Sequence, residues 1–557
     1  MMIKIKSKEQ IEAPGLEAWR NDYSPKKIAL LEKSWAGTFR HHILPNLPVD
    51  LVKQHYSNSI GRNTKELYAI MGVVVFQECF DLTDNETIEE LAFNQQWHYA
   101  LDCFEEKDQI TSLRTLWTMR KYISEEKMAD SIFALSTDEM IKALGIDISK
   151  QRLDSVHVYS NMAKIGRIRI LLRSILKFLK NLKKKDSILY NSILTEELKK
   201  NYLKKNADSC FSQIKPSSRD RNLQSLAEDM YSLIKSFQNN KKVSRMNSFK
   251  LLCRVFNEQC TADNQEVKVR KPKEVPSDSI QNPSDEDAGF DGHKGQGYQS
   301  QLMETYQTEA EKNACNHPKP DMITYSETES ADKHDSYALE PAIKEVTERG
   351  HRCDELLADA AYGGTKNTEK AAEYGVKLIS PTLGRTSEKR HESFEYNHDN
   401  YEVTSCPAGN KPDELKHNKA SITAIWYPST CEDCPLASEC PTKECKKGRK
   451  HYYTISSMKC HFRREYEKSK SFKDQYRYRS GIEATNSRFI SMTGGRRSRY
   501  RCLEKMRFSQ KLKALAINMF RVAKYLRELP ESVYFSKLKS FFSHFPLLRG
   551  QKFVFSA

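Results

Sequence analysis

The sequence predicts an α/β core, split by a helical insertion and a Cys-rich insertion and preceded by an all-helical N-terminal domain. Three observations carry this reading. Apolar residues recur at helical spacing within residues 1–145. From residue 297 to 390 the pattern changes to short strand-like runs alternating with helices. Two stretches interrupt that order, 161–260, which is basic and helical, and 391–465, which is rich in cysteine.

At 557 residues the chain is far longer than one ordinary domain needs, so several domains or one core with large insertions are expected. Ninety Lys and Arg against 74 Asp and Glu leave a formal charge of +16, which favours a polyanion. Nucleic acid and an anionic membrane surface both satisfy that charge. The longest apolar run, Leu67 to Phe76, is too short to cross a bilayer, and the lysine-studded N-terminus has no signal-peptide apolar region. A cytoplasmic protein with no membrane partner is expected. Fourteen cysteines without a secretion signal argue for reduced thiols, some open to metal.

Leu67, Ile70, Met71, Val74 and Val75 predict one helical face, and Thr83 with Glu86 predicts a capping box opening the next helix. Residues 1–145 thus read as an independent helical unit. Lys150 to Val158 reads as the first strand, so the core begins at 146–160. A basic amphipathic helix follows from about Lys164, with Ile168, Leu171, Leu172, Ile175 and Leu179 on one face. Residues 164–186 hold nine Lys and Arg against one acid, so its other face meets solvent, DNA or a partner. Residues 261–296, rich in Pro, Asp, Ser, Gly and Lys, read as a loop or linker.

The core resumes over 297–390. Tyr298 to Tyr306 and Met322 to Ser326 read as strands, Ala338 to Glu348 as a helix ending at Gly350, and Glu355 to Ala358 as a short buried strand. Asp359 follows that strand directly. A Gly363-Gly364 turn, a helix near Asn367 to Tyr374 and a strand at Val376 to Ile379 complete the unit before Pro381. After the Cys-rich segment, a pair of basic helices is expected from about Lys470 to Leu526, within a C-terminal part spanning 466–530; 531–557 reads as a tail.

Metal-dependent phosphoryl transfer on DNA uses two divalent ions roughly 3.5–4 Å apart. A few carboxylates with water and substrate phosphate suffice to hold magnesium. Asp154 in the first strand, Asp359 after the fourth and Glu483 on a late helix meet only if the sheet folds in this order. Asp147 is the neighbouring alternative to Asp154. His157 and His334 read as structural.

The segments LDSVHVYSNMAKIGRIR, SDEDAGFDGHKGQGYQSQLMETYQ, LLADAAYGG and YRYRSGIEATNSRF resemble, in the same order, those of a group of bacterial insertion-sequence DDE transposases. The resemblance spans roughly residues 60 to 525. It implies a ribonuclease-H-like core with a mixed five-stranded sheet and flanking helices. It also implies Asp154, Asp359 and Glu483 as ligands of two Mg2+ (or Mn2+) ions, DNA as partner, a DNA-binding role for the helical N-terminal domain over 1–145, and a homodimer in the synaptic complex. Tyr476 and Arg479 match the group's Tyr-x2-Arg-x3-Glu signature. On one continuous α-helix Tyr476, Arg479 and Glu483 would share a face, with Arg479 gripping phosphate. The signature's lysine, seven residues after the glutamate, is here Ile490. Arg488, Arg496 or Arg497 are the available electrostatic substitutes.

Cys431 and Cys434 form a C-x2-C pair, followed by Cys440 and Cys445, with Cys406 upstream. Such spacing suits a structural Zn2+ in a small knuckle with little core of its own, or reduced, unligated thiols. Cys406, Cys431, Cys434 and Cys440 are the favoured ligand set, though spacing leaves the choice open.

From Ser471 to Pro530 there are fifteen Lys and Arg against four acids. Arg488, Arg496, Arg497, Arg499 and Arg501 are expected along DNA phosphates, with Tyr476, Tyr478 and Tyr500 able to stack on bases. Leu512, Leu515, Ile517 and Phe520 read as core. The expected function is cleavage at element ends and strand transfer into target DNA. The alternatives are a non-catalytic DNA-binding relative and a ribonuclease-H-like nuclease that does not join strands.

Overall fold

Among the described residues the largest hydrophobic cluster joins two helices far apart in the chain, a buried N-terminal helix and a buried C-terminal helix. The computed structural model describes residues 3–7, 10–11, 23–57, 62–193, 202, 219–263, 266–384 and 391–530. The expected tail, 531–557, lies outside these, as does most of 194–218 in the insertion.

Helix α1, Leu67–Cys79, is buried along its whole length. Its apolar residues mark more than a face, as a helix hydrophobic on every side must sit inside a core. Thr83 and Glu86 form the expected capping box at the start of α2, Asp84–Phe93. Helix α3, Met128–Leu144, ends on Gly145, whose φ of +59° permits the left-handed cap before the chain enters the sheet.

Strand β1, Lys150–Tyr159, is the centre of a six-stranded mixed sheet. Its neighbours come from β2 (Gly289–Asp291), β3 (Gly295–Thr305), β4 (Ile323–Ser330), β5 (Glu355–Ala358) and β6 (Lys377–Ile379). The order is β4–β3–β1–β5–β6, with β2 also pairing β3. Strand β3 runs antiparallel to β1, whereas β5 and β6 run parallel to it. The sixth strand, β2, corrects the expectation of five. It lies inside 261–296, whose turn-rich composition conceals both β2 and a small hairpin, Cys260–Asp263 with Glu266–Val269.

Helix α4, Arg167–Lys185, leaves β1 and buries Leu171, Leu172, Ile175 and Leu179 against α5 (Arg219–Phe237) and α6 (Asn247–Gln259). Val267 and Ile280 join that cluster, so part of the expected linker belongs to the insertion's own core. Arg169, Lys180 and Lys183 to Lys185 face outward.

Helices α7 (Leu339–Glu348) and α8 (Thr365–Glu373) flank the parallel strands, within a residue or two of their expected bounds. The Cys-rich stretch has more core than a bare knuckle: β7 (Glu414–Asn418), β8 (Ser421–Trp426), β9 (Lys443–Cys445) and β10 (Gly448–Thr454) form a four-stranded antiparallel sheet. Phe394, Val403, Ile422, Trp426 and Tyr453 pack on it.

Helix α9 (Ile455–Lys468) follows the small sheet, and α10 (Lys470–Tyr476), α11 (Gly481–Thr493) and α12 (Leu503–Glu528) stand where a single pair was expected. Leu512, Leu515 and Ile517 of α12 share one hydrophobic cluster with α1, α3, Val156 and Ile323. The N-terminal helices therefore do not have a core separate from the rest. A helix some 430 residues downstream completes it, as in the contact from Cys79 Sγ to the Leu512 carbonyl.

Candidate active site

The parallel register pairs Leu153 of β1 with Ala358 of β5. Asp154 is the next residue of β1 and Asp359 follows the last residue of β5, so the two acids come from neighbouring chain segments at the same level of the sheet. Asp359 also caps the following turn by accepting from the Ala361 N–H at 2.9 Å. Glu483 lies in the first turn of α11 with its side chain largely exposed.

Arg479 joins the three. Its Nη2 is 3.0 Å from Asp154 Oδ2 and 3.8 Å from Asp359 Oδ2, and its Nη1 is 3.1 Å from Glu483 Oε1. Tyr476, Arg479 and Glu483 do not share one continuous α-helix. Tyr476 ends α10, Arg479 sits in a 3-10 turn at Arg477–Ser480, and Glu483 begins α11. The tighter turn still aims Arg479 and Glu483 at one point, while Tyr476 stacks on Phe472 at 5.3 Å between ring centroids.

Burial raises the Asp154 carboxyl to about 6, against the pull of Arg479 and with the repulsion of Asp359 and Asp335 added. Two polar residues near this acid escape the sequence reading. Asn486 donates from Nδ2 to Asp154 Oδ2 at 3.1 Å. Its place three residues after Glu483, on the same helix face, was the available signal. Asp335, held by Gln301 at 3.0 Å, has no comparable local signal.

A buried ion cluster fastens this helix to the sheet. Arg152 of β1 bonds Glu304 at 2.8 Å and the Tyr478 carbonyl at 2.9 Å, while Arg521 reaches the other Glu304 oxygen at 2.8 Å. Thr485 of α11 donates to that same oxygen at 2.7 Å. Glu304 is fully buried, so removing either arginine would leave part of a buried charge uncompensated. A Cβ on Gly481 would fall 2.0 Å from Arg152 Nη1, which explains glycine where α11 meets the sheet.

The donor set suits a hard divalent cation, with three carboxylates already gathered around a positive charge. Among the described residues, however, no three Asp, Glu, His or Cys side chains form a ready metal-holding group. The acids surround the Arg479 guanidinium instead.

The other expected residues divide by position. Arg488 lines a cavity of about 390 Å³ with Arg152, Lys312, Arg521 and Lys524 and the carboxylates Asp321 and Glu528. Ile490 packs against the helical core, so no charge reaches the acids from there. Arg496 and Arg497 are exposed beside the end of β1, where the Tyr159 N–H donates to the Arg496 carbonyl at 2.9 Å. Arg499 is exposed yet pairs with Asp81 at 3.3 Å, and Arg501 is exposed. Tyr500 is not presented to bases: its hydroxyl bonds Glu78 at 2.5 Å. Tyr478 stacks on Tyr306. Asp147 is exposed and caps Ser149 at 2.9 Å, away from the acids' meeting point. His334 caps an exposed turn, whereas His157 is buried with neither ring nitrogen bonded.

Cys406, Cys431, Cys434 and Cys440 line one small cavity next to Trp426 and Arg449, and Cys445 does not.

Residues 405–523 match a family model described as "Transposase DDE domain". The match takes in the Cys-rich sheet, Tyr476, Arg479, Glu483 and most of α12, and it supports a DDE transposase. Asp154 and Asp359 lie outside the matched span. No curated protein and no solved structure matches the chain. Among the described residues no helix is long and apolar enough to cross a membrane.

Proposed function

We propose that the chain is the transposase of an insertion sequence, cleaving phosphodiester bonds at the element's ends and joining them to target DNA. The single observation that carries this is the meeting of Asp154, Asp359 and Glu483, from three distant segments, on one guanidinium. The strand order, with β1 antiparallel to β3 and parallel to β5, supports a ribonuclease-H-like core.

In this reading Asp154, Asp359 and Glu483 hold two Mg2+ or Mn2+ ions. When bound, these would activate an attacking water or 3′-hydroxyl and stabilise the leaving oxygen. Asn486 fixes the Asp154 oxygen that faces Arg479. The Arg479 guanidinium, released from the carboxylates, turns to the scissile phosphate, where a planar bidentate donor is suited. Tyr476 borders the same space. The exposed arginines 496, 497, 499 and 501 follow the DNA backbone, and Arg488 meets a phosphate on the opposite flank of α11. A homodimer would bring two element ends together.

Ile490 favours a second reading, a DNA-binding relative that has lost cleavage, because the acids receive no charge from that position. The test combines purified protein, magnesium and a plasmid carrying the element's own ends, followed by sequencing of the products. Joined products support the transposase. Cleaved but unjoined ends point to a nuclease, and intact bound plasmid points to the non-catalytic relative.

A further inference from the structure

We infer that Cys406, Cys431, Cys434 and Cys440 form a tetrahedral zinc-thiolate site that staples the Cys-rich sheet, separate from the acidic site. The four thiols belong to stretches up to 34 residues apart in sequence, yet they line one cavity of about 20 Å³. That is room for a single water-sized occupant. Cys445, the fifth cysteine of the segment, lies at the end of β9 and takes no part in the lining.

The backbone presents Cys406 on one short turn and Cys431 and Cys434 on a second, while Cys440 precedes β9 with its Sγ 3.1 Å from Thr442 Oγ1. Cys406 opens a Cys-Pro-Ala-Gly turn, its carbonyl accepting from the Gly409 N–H at 2.8 Å, with Gly409 at φ +82°. Trp426 Nε1 donates to the Asn410 carbonyl at 3.1 Å and ties this turn to β8. In the second turn the Cys434 N–H donates to the Cys431 carbonyl at 3.3 Å, and the Ala437 N–H to the Cys434 carbonyl at 3.1 Å. Burial, together with the nearby Cys434, Cys440 and Cys406, pushes the Cys431 thiol up, so the bare cluster resists ionising and a cation is needed to hold it as thiolates. Four thiolates on Zn2+ carry a net double negative charge. Arg449, in the same cavity wall, supplies part of the compensating charge.

Among the described residues no three Cys, His, Asp or Glu side chains stand close enough to hold a metal as they are, these thiols included. Zn–S bonds of about 2.3 Å would draw the two turns together. Each thiol loses its proton to solvent as its sulfur binds, with no change of oxidation state. The consequence is mechanical: β10 runs directly into α9, so a stapled sheet fixes the start of the helices that lead to Arg479 and Glu483.

The test uses the full chain purified without chelator. Elemental analysis and native mass spectrometry should find about one zinc per chain, and Co2+ exchanged into the protein should give intense thiolate-to-cobalt absorption. Cys434→Ser should lose the metal, while Cys445→Ser and Asp359→Ala should keep it. Retention in Asp359→Ala separates this site from the acidic one, so loss of cleavage and loss of zinc are distinguishable. If Cys434→Ser fails to fold, the cobalt spectrum of the unmodified chain decides. Absence of zinc, a cobalt spectrum without thiolate bands, or zinc retained by a folded Cys434→Ser would each overturn the inference.

Discussion

Arg479 and Asp154 share a contact of 3.0 Å, so a fixed positive charge neutralises the acid that the sheet buries most deeply among the three. A divalent cation must compete with that charge for the same oxygen. Arg479→Ala is therefore expected to bind Mn2+ more tightly in the absence of DNA, by about tenfold, the equivalent of ~1.4 kcal/mol. It should nonetheless cleave DNA poorly, having lost the phosphate contact. Titration followed by electron paramagnetic resonance measures the affinity; unchanged or weaker Mn2+ binding would show that the guanidinium does not stand in for the cation.

Asn486 is expected to tune Asp154. Replacing it with Ala removes a donor to a carboxylate, worth roughly 1.5–3 kcal/mol. Side-chain carboxyl NMR of the metal-free protein should place Asp154 near 6 in the unmodified chain and higher in Asn486→Ala. Cleavage at neutral pH should fall about tenfold or more. An Asp154 titration that does not move would assign Asn486 a packing role only.

The exposed arginines predict a salt effect. Arg496→Ala with Arg497→Ala should weaken binding to end DNA and lower the slope of log affinity against log salt by about 1.8, since each phosphate contact contributes about 0.9. Fluorescence anisotropy at several salt concentrations checks this. An unaltered slope would place DNA elsewhere.

In the N-terminal region, burial alone would raise the Glu32 carboxyl, but His41 at 2.7 Å, with Tyr99 and Arg40, brings it down to about 2. A depressed carboxyl stabilises the fold above its unfolded value of 4.5 and loses that contribution as pH falls towards about 2. The full shift corresponds to roughly 3 kcal/mol. Glu32→Gln should lower the melting temperature at neutral pH and show a flatter decline between pH 4.5 and 2. Parallel melting curves for the two proteins across that window would remove the argument.

Asp154 and Asp359 were legible because each sits on or just after an apolar run of strand length, and Glu483 because it stands in a motif with Tyr476 and Arg479. Their meeting depends on the β1–β5 register, which no local pattern states. The pairing of Asn486 with Asp154 spans more than 300 residues and depends on that same assembly. The shared core of α1 and α12 was hidden for a related reason. Both helices read as ordinary apolar stretches, and only the closed fold shows that each covers the other. In the Cys-rich stretch the cysteine spacing is the stronger local pattern and masks strands such as Ser421–Trp426, whose apolar residues form a small core.

Single-turnover cleavage of end DNA by Asp359→Asn, beside the unmodified chain, tests the central claim most directly. The substitution keeps the size of the side chain and removes the charge that a shared metal ligand needs. Magnesium-dependent strand cleavage is expected from the unmodified chain and none detectable from Asp359→Asn, with binding of end DNA within about twofold because most phosphate contacts remain. Cleavage by Asp359→Asn at the unmodified rate would contradict the claim.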